Sequence, residues 1–178
     1  MAFLLPDIYK QSIFDIDYNK LYKKNIKCLV FDLDNTLALI SDKNCPEKTK
    51  ELITKLKKKF RVVMISNNIS SRIKPYEEEL EIDTISLAMK PLTFGLKKIR
   101  KRYNLKKCEM IMIGDQLVTD VLSGKIYGTH TCLVDPLGKK DIKITGLNRK
   151  IEKVILNNYE KKKLFERGIY YEWKSEKM

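Results

Sequence analysis

Cysteine is scarce and scattered. Cys28, Cys45, Cys108 and Cys132 form no C-x-x-C pair, which argues against a disulfide framework or a zinc site and makes a reducing compartment the default. Glycine and proline are sparse, at 7 and 5 residues, so collagen-like and Pro/Gly-rich low-complexity classes are excluded. No apolar run approaches the roughly 18 residues that a membrane span requires. The opening MAFLLPDIYKQS has too short an apolar part, and no basic flank, for a signal peptide. Acidic residues fall short of the basic ones: 23 Asp and Glu face 36 Lys and Arg, a net charge of +13. Such an excess favours anionic partners, whether nucleic acid, an acidic membrane surface or phosphorylated substrates, and says nothing of the fold. With 178 residues, 43% of them apolar, the chain can bury one ordinary core. The expectation is a cytoplasmic protein with one main domain.

Two hydrophobic periods alternate along the chain. Residues 26–31 (IKCLVF), 62–65, 82–87, 110–113 and 130–134 are short apolar runs, as strands buried on both faces should be. Between them, residues 46–60 carry Leu52, Ile53, Leu56 and Phe60 at helical spacing, with Pro46 in the first turn. Residues 70–80, 91–103, 117–123 and 147–162 are further expected helices; Pro75 should start or kink the first of these, and in the second Phe94 and Ile99 should face inward. Strands alternating with helices predict an α/β domain with a central parallel sheet covered on both faces. The expected organisation is an amino-terminal arm over 1–25 that packs on the domain, a core domain over 26–160, and a basic, aromatic tail over 161–178.

Chemistry concentrates where strands end. The run Val30-Phe31-Asp32-Leu33-Asp34-Asn35-Thr36 leads a buried strand straight into two carboxylates, at the sheet edge where open α/β folds place ligands. Like charges this close are costly to bury without a cation, and Mg²⁺, a hard ion bound by carboxylates, water and phosphate, is the natural one. Met110-Ile111-Met112-Ile113-Gly114-Asp115 repeats the pattern, with Asp120 five residues further on. After residues 62–65, Ser66-Asn67-Asn68 place a hydroxyl and two amides at the same edge, groups suited to phosphate oxygens. Ser/Asn clusters after strands are usually plain turns, and Lys90, read alone, is one surface lysine among many.

The four segments DLDNT, SNN, MKP and IGDQLVTD stand in the order and spacing of the motifs of the haloacid dehalogenase (HAD) superfamily of phosphatases. More narrowly, FLLPDIYKQSIFDIDYNKL, IKCLVFDLDNTL and KPYEEEL resemble the YqeG family of subfamily IIIA, related to mitochondrial phosphatidylglycerophosphate phosphatases. The resemblance implies a HAD-like Rossmannoid three-layer sandwich and a Mg²⁺-dependent phosphomonoesterase. It implies Asp32 as nucleophile, Asp34 as acid and base, and Lys90 as the charge-offsetting cation. Thr36 would orient the loop, and Ser66 and Asn67 would bind the phosphoryl group. Asp32, Asp115 and the backbone of Asp34 would hold the metal, with Asp120 behind them. The intervals from Thr36 to Ser66 and from Asn67 to Lys90 leave room for one helix and one strand each, so no cap domain is expected. An open site favours a phosphate on a macromolecule or a lipid surface. Phosphatidylglycerophosphate comes first, with phosphoproteins and sugar phosphates behind it. Peripheral contact with the inner face of an anionic membrane, through Phe3, Leu4 and Leu5 or through Tyr170, Tyr171 and Trp173, accompanies that reading. A competing class is a basic HAD-fold module that binds nucleic acid or ribonucleoprotein, although no specific nucleic-acid signature is present.

Overall fold

Six short apolar segments form one sheet: β1 (Ile8–Lys10), β2 (Cys28–Phe31), β3 (Arg61–Ile65), β4 (Asp83–Ile85), β5 (Met110–Gly114) and β6 (His130–Val134). In this computed structural model, which describes residues 3–138 and 143–173, the strand order is β1-β6-β5-β2-β3-β4. Every pairing is parallel. Strands β2 and β5 are buried along their whole length, which is why they read as continuous apolar runs rather than alternating ones. Five strands coincide with the expected segments. The sixth, β1, lies in the amino-terminal arm and pairs Ile8, Tyr9 and Lys10 with Cys132, Leu133 and Val134.

Alternate side chains serve two layers. Leu29 and Phe31 point into a cluster with Ile53, Leu56, Ile73, Tyr76 and Leu80, which belong to α2 (Glu47–Lys57) and α3 (Ser70–Leu80). The short α1 (Tyr18–Lys23) adds Leu21 to the same layer. Cys28 and Val30 point the other way, onto Leu96 and Ile99 of α4 (Phe94–Arg102) and Tyr127 of α5 (Leu122–Tyr127). A third cluster joins Tyr9, Leu133, Tyr159 and Phe165, bringing in α6 (Lys143–Lys161) and the tail that follows it.

Three local expectations change. Phe94 is 64% exposed, not inward. Helix α4 begins at Phe94 itself, and its buried face is Gly95, Leu96 and Ile99; a Cβ at Gly95 would collide with Ile65. Pro75 lies inside α3 and neither starts nor ends it. The helix expected over 117–123 splits into a π-helical turn, Leu117–Val121, followed by α5. Such turns recur at functional sites, and this one carries Asp120.

The tail folds back on the arm. Tyr9 and Tyr171 exchange backbone hydrogen bonds of 2.9 and 3.0 Å. Phe165 sits 4.8 Å from the Tyr9 ring, centroid to centroid, and Trp173 meets His130 edge-on at 4.7 Å. Tyr171 and Trp173 are therefore engaged in packing rather than presented outward; residues 174–178 lie outside the described residues. Phe165→Ala should cost about 3 kcal/mol through lost burial and the cavity it leaves. Urea unfolding would show this as a lower midpoint with an unchanged slope.

Candidate active site

The sheet order places the carboxyl ends of β5, β2 and β3 side by side, so residues from three distant stretches of chain meet there. Asp32 follows β2 and is 5% exposed. The Lys90 ammonium contacts Asp32 Oδ1 and lies 2.6 Å from Asp120 Oδ1. The other oxygen of Asp120 accepts from the Gln116 N–H at 3.0 Å. Gly114 makes room for this arrangement, since a Cβ there would overlap the Asp120 carboxyl group. Asp115, buried at the end of β5, accepts from the Thr36 hydroxyl at 3.3 Å.

Asn35 turns the chain after Asp34 with φ at 62°, a conformation that Asn tolerates better than most residues. The Asp34 carboxylate has its own partners. It accepts from Asn68 Nδ2 at 2.8 Å and from Arg72 Nη2 at 3.0 Å. Arg72, in the first turn of α3, also donates to the Leu39 carbonyl at 3.1 Å and contacts the Asp42 carbonyl. Ser66 Oγ accepts from the Asn68 N–H at 3.1 Å. The expectation aimed Asn67 at substrate; its amide is instead engaged with the Lys90 main chain on both sides. Asn67 Oδ1 accepts from the Lys90 N–H at 2.7 Å, and Nδ2 donates to the Lys90 carbonyl at 3.1 Å.

Three participants were not expected from the sequence. Arg149 of α6 contacts Asp115 Oδ2 and donates to the Asp115 carbonyl at 2.8 Å. Glu152 accepts from Arg149 at 3.0 Å and from the Val118 N–H at 3.1 Å. Arg72 is the other addition among the cations. Its position carried a signal: a cation in the first turn of a helix opposes the dipole, so a partner carboxylate is to be sought.

A cavity of about 240 Å³ opens among these groups, lined by Asp32, Asp34, Ser66, Lys90, Gln116, Thr119 and Asn148 among others. A larger one, about 960 Å³, runs along the tail from Glu160 to Trp173 and touches none of the carboxylate cluster. Asp32, Asp115 and Asp120 each bring a carboxylate oxygen within 4.8 Å of the others. Burial pushes the Asp32 carboxyl well up, against the pull of Lys90. Asp115 rises to about 7, chiefly by burial, with Arg149 opposing and Asp120 adding to the rise. Burial works against the Lys90 charge too, but Asp120 and Asp32 outweigh it and hold the ammonium above its usual range. Two cations thus leave the acidic cluster under-neutralised, an environment that fits a hard divalent cation.

The parallel α/β sheet, with carboxylates gathered at its carboxyl edge, places the protein among HAD-superfamily phosphatases. Comparison with known proteins narrows this. The family model described as mitochondrial PGP phosphatase matches residues 1–138, and the chain belongs to that family. It is 38% identical over 161 residues to the probable phosphatase YqeG of Bacillus subtilis, covering 90% of this chain and 94% of that one. It is 27% identical over 173 residues to the Arabidopsis thaliana phosphatidylglycerophosphate phosphatase 1, covering 91% of this chain but 50% of the plant protein. Among solved structures, the 3-deoxy-D-manno-octulosonate 8-phosphate phosphatase of Moraxella catarrhalis aligns with a TM-score of 0.50 at 18% identity. That alignment covers 80% of this chain and 95% of the other, and it supports the fold.

The raised Asp115 carboxyl sets a pH dependence. Between its unfolded value near 3.8 and about 7, the folded protein binds more protons than the unfolded chain, so stability falls as pH rises through that window. In chelator, the metal-free protein should lose roughly 1–3 kcal/mol from pH 4.5 to 7.5. Asp115→Asn should flatten the slope in a series of Tm measurements, whereas an unchanged slope would assign it to other groups.

Proposed function

We propose that the chain is a Mg²⁺-dependent phosphomonoesterase that works through an aspartyl-phosphate on Asp32. Its substrate is a phosphate carried on a lipid headgroup, with phosphatidylglycerophosphate as the first candidate. The observation that carries the chemistry is Asp32 itself: a dry carboxylate at the wall of the cavity, with one oxygen held by Lys90. A carboxylate so held keeps its other oxygen for attack on phosphorus. The P–O bond to the leaving group then breaks, and Asp34, 15% exposed at its side chain and entering this step protonated, gives the departing alkoxide its proton. In the second half Asp34 takes a proton from water, which attacks phosphorus and releases Asp32. Ser66 and Lys90 contribute a hydroxyl and a positive charge to the transferring group, whose transition state is stabilised mainly by positioning and charge. Thr36 holds Asp115, and Asn67 holds the Lys90 main chain. Asp32, Asp115 and the Asp34 carbonyl would bind Mg²⁺, with Asp120 tied behind them by Lys90. When bound, the ion supplies charge neutralisation at the phosphoryl oxygens.

The substrate class rests on two further supports. The interval from Thr36 to Ser66 carries α2 and β3, and that from Asn67 to Lys90 carries α3 and β4; the open site is read from the shortness of these intervals. The plant relative named for phosphatidylglycerophosphate aligns over most of this chain. No helix among the described residues is long and apolar enough to cross a membrane, so the reading has the enzyme meet its lipid from the aqueous side.

Asp32→Asn should retain the fold and lower kcat by at least about 10³-fold, because an amide cannot form the acyl-phosphate. Residual turnover near wild type in a clean preparation would overturn the mechanism. Arg72→Lys replaces a planar fork by a point charge, loosening Asp34 from its loop. Turnover of alkyl phosphates should fall about tenfold to a hundredfold. Turnover of p-nitrophenyl phosphate, whose leaving group needs little protonation, should fall much less. An equal loss on both substrates would place Arg72 in loop stability alone.

A further inference from the structure

Ile69, Leu87, Met89, Leu92 and Phe94 are each more than half exposed, and all flank the strand ends that carry Ser66 and Lys90. A backbone lattice fixes them there. The Leu87 N–H donates to the Asn68 carbonyl at 2.9 Å, and Ala88 N–H to Ser66 at 3.0 Å. Ser70 and Ser86 share a hydroxyl hydrogen bond of 2.9 Å, and the Leu92 N–H closes a turn onto the Met89 carbonyl at 2.9 Å. Leu87 and Met89 hold φ at 47° and 51°, a left-handed conformation that bulky residues rarely adopt. The chain therefore accepts strain at two positions whose side chains gain no burial. Two loops are zipped into a ridge, and its apolar side chains face water.

Charge along the same stretch is one-sided. From residue 84 to residue 108 the chain has no Asp or Glu. Helix α4, which begins at Phe94, carries Lys97, Lys98, Arg100, Lys101 and Arg102. Lys97, Lys98, Lys101 and Arg102 are exposed, and among the described residues Arg102 alone of these pairs with an acid, Asp83 at 2.9 Å. Scattered surface apolar residues need no explanation. Five of them beside the cavity that Asp32 and Lys90 line, backed by a basic helix without acidic residues of its own, do.

We infer that this ridge is the surface on which the protein seats on an anionic phospholipid bilayer, its aliphatic and aromatic tips entering the headgroup layer while the α4 lysines face the lipid charge. The inference rests on the phosphatase reading of the site and adds a contact to the terminal segments, of which Tyr171 and Trp173 are packed while Phe3 and Tyr170 remain exposed. Shallow insertion of apolar tips and attraction of nearby basic residues are the two terms by which peripheral proteins bind such surfaces. The ridge and the cavity share the segment from Ser66 to Lys90, so a protein seated this way would bring a headgroup phosphate to Asp32 without lifting the lipid out.

The test uses the full-length protein and vesicles of equal parts phosphatidylglycerol and phosphatidylcholine, with pure phosphatidylcholine vesicles as control. The wild type should sediment with the anionic vesicles and be released as salt rises. The triple variant Leu87→Asn, Met89→Asn, Phe94→Gln should bind them at least about tenfold more weakly. Asn is at ease at positive φ, so its Tm should hold or rise, and its turnover of p-nitrophenyl phosphate should match the wild type. Lys97→Glu with Lys101→Glu should weaken binding and flatten its salt dependence. Wild-type-like vesicle binding by the triple variant would overturn the inference. So would no wild-type binding to anionic vesicles at low salt; if p-nitrophenyl phosphate turnover persists in that case, the phosphatase reading stands and the ridge serves a protein partner. Vesicle binding without any turnover would instead overturn the phosphatase reading and leave the ridge.

Discussion

Carboxylates converge at one edge of the sheet, and the rest of the molecule is arranged around the cost of holding them there. Asp32, Asp115 and Asp120 are buried, and bringing them within 4.8 Å of one another would be prohibitive in a dry interior without compensating charge. Each cation comes from an element outside the two acidic strands. Lys90 arrives from the loop after β4 to bridge Asp32 and Asp120. Arg149 arrives from α6 to meet Asp115, and Glu152 steadies it. Arg72 arrives from α3 to hold Asp34. Helices α3 and α6 thus reach the strand ends by ion pairs as well as by apolar packing.

This division of cations separates two aspartates that lie two residues apart. Asp32 is dry and paired with a lysine that is itself buried. Asp34 lies in a more open setting, where an arginine fork and an Asn amide fix its two oxygens. On the proposed reading one carboxylate serves for attack and the other for proton transfer, a difference made by environment and not by residue type. Burying a pair of like charges symmetrically would have left both with the same task.

Much of this was legible in the sequence, for local reasons. A continuous apolar strand ending in Asp is visible in the residues themselves, and two such endings, with SNN between them, mark one sheet edge. The missing parts depend on distance. Arg72 and Arg149 are two of 36 basic residues, and their partners lie 38 and 34 positions away, beyond any periodicity. Asn67 reads as a substrate ligand because of its place in SNN, yet its amide matches the Lys90 main chain, a pairing that only the β3–β4 crossover creates. Strand β1 is three residues long, too short for a period-two pattern to register, and it is held by pairing to β6. Phe94 reads as inward because it is large and apolar; close packing of Gly95 against Ile65 decides the helix face instead.

The exposed ridge and the buried lysine share one backbone lattice, although the ridge side chains themselves stand clear of the site. The hydrogen bonds that hold Leu87 and Ala88 against Asn68 and Ser66 continue into the two bonds by which Asn67 fixes Lys90. A backbone lattice that presents apolar side chains outward on one side therefore sets an ammonium inward on the other. Loops usually trade precision for adaptability, and here the pairing of two loops removes that freedom. On the proposed reading, strain at Leu87 and Met89 is tolerated because the segment serves two surfaces at once. Relieving it by a flexible loop would blur the position of Lys90 against Asp32 as much as the shape of the rim. The basic excess of the chain divides along the same line: a few cations are spent on buried carboxylates, and α4, free of acidic neighbours in sequence, faces outward beside the cleft.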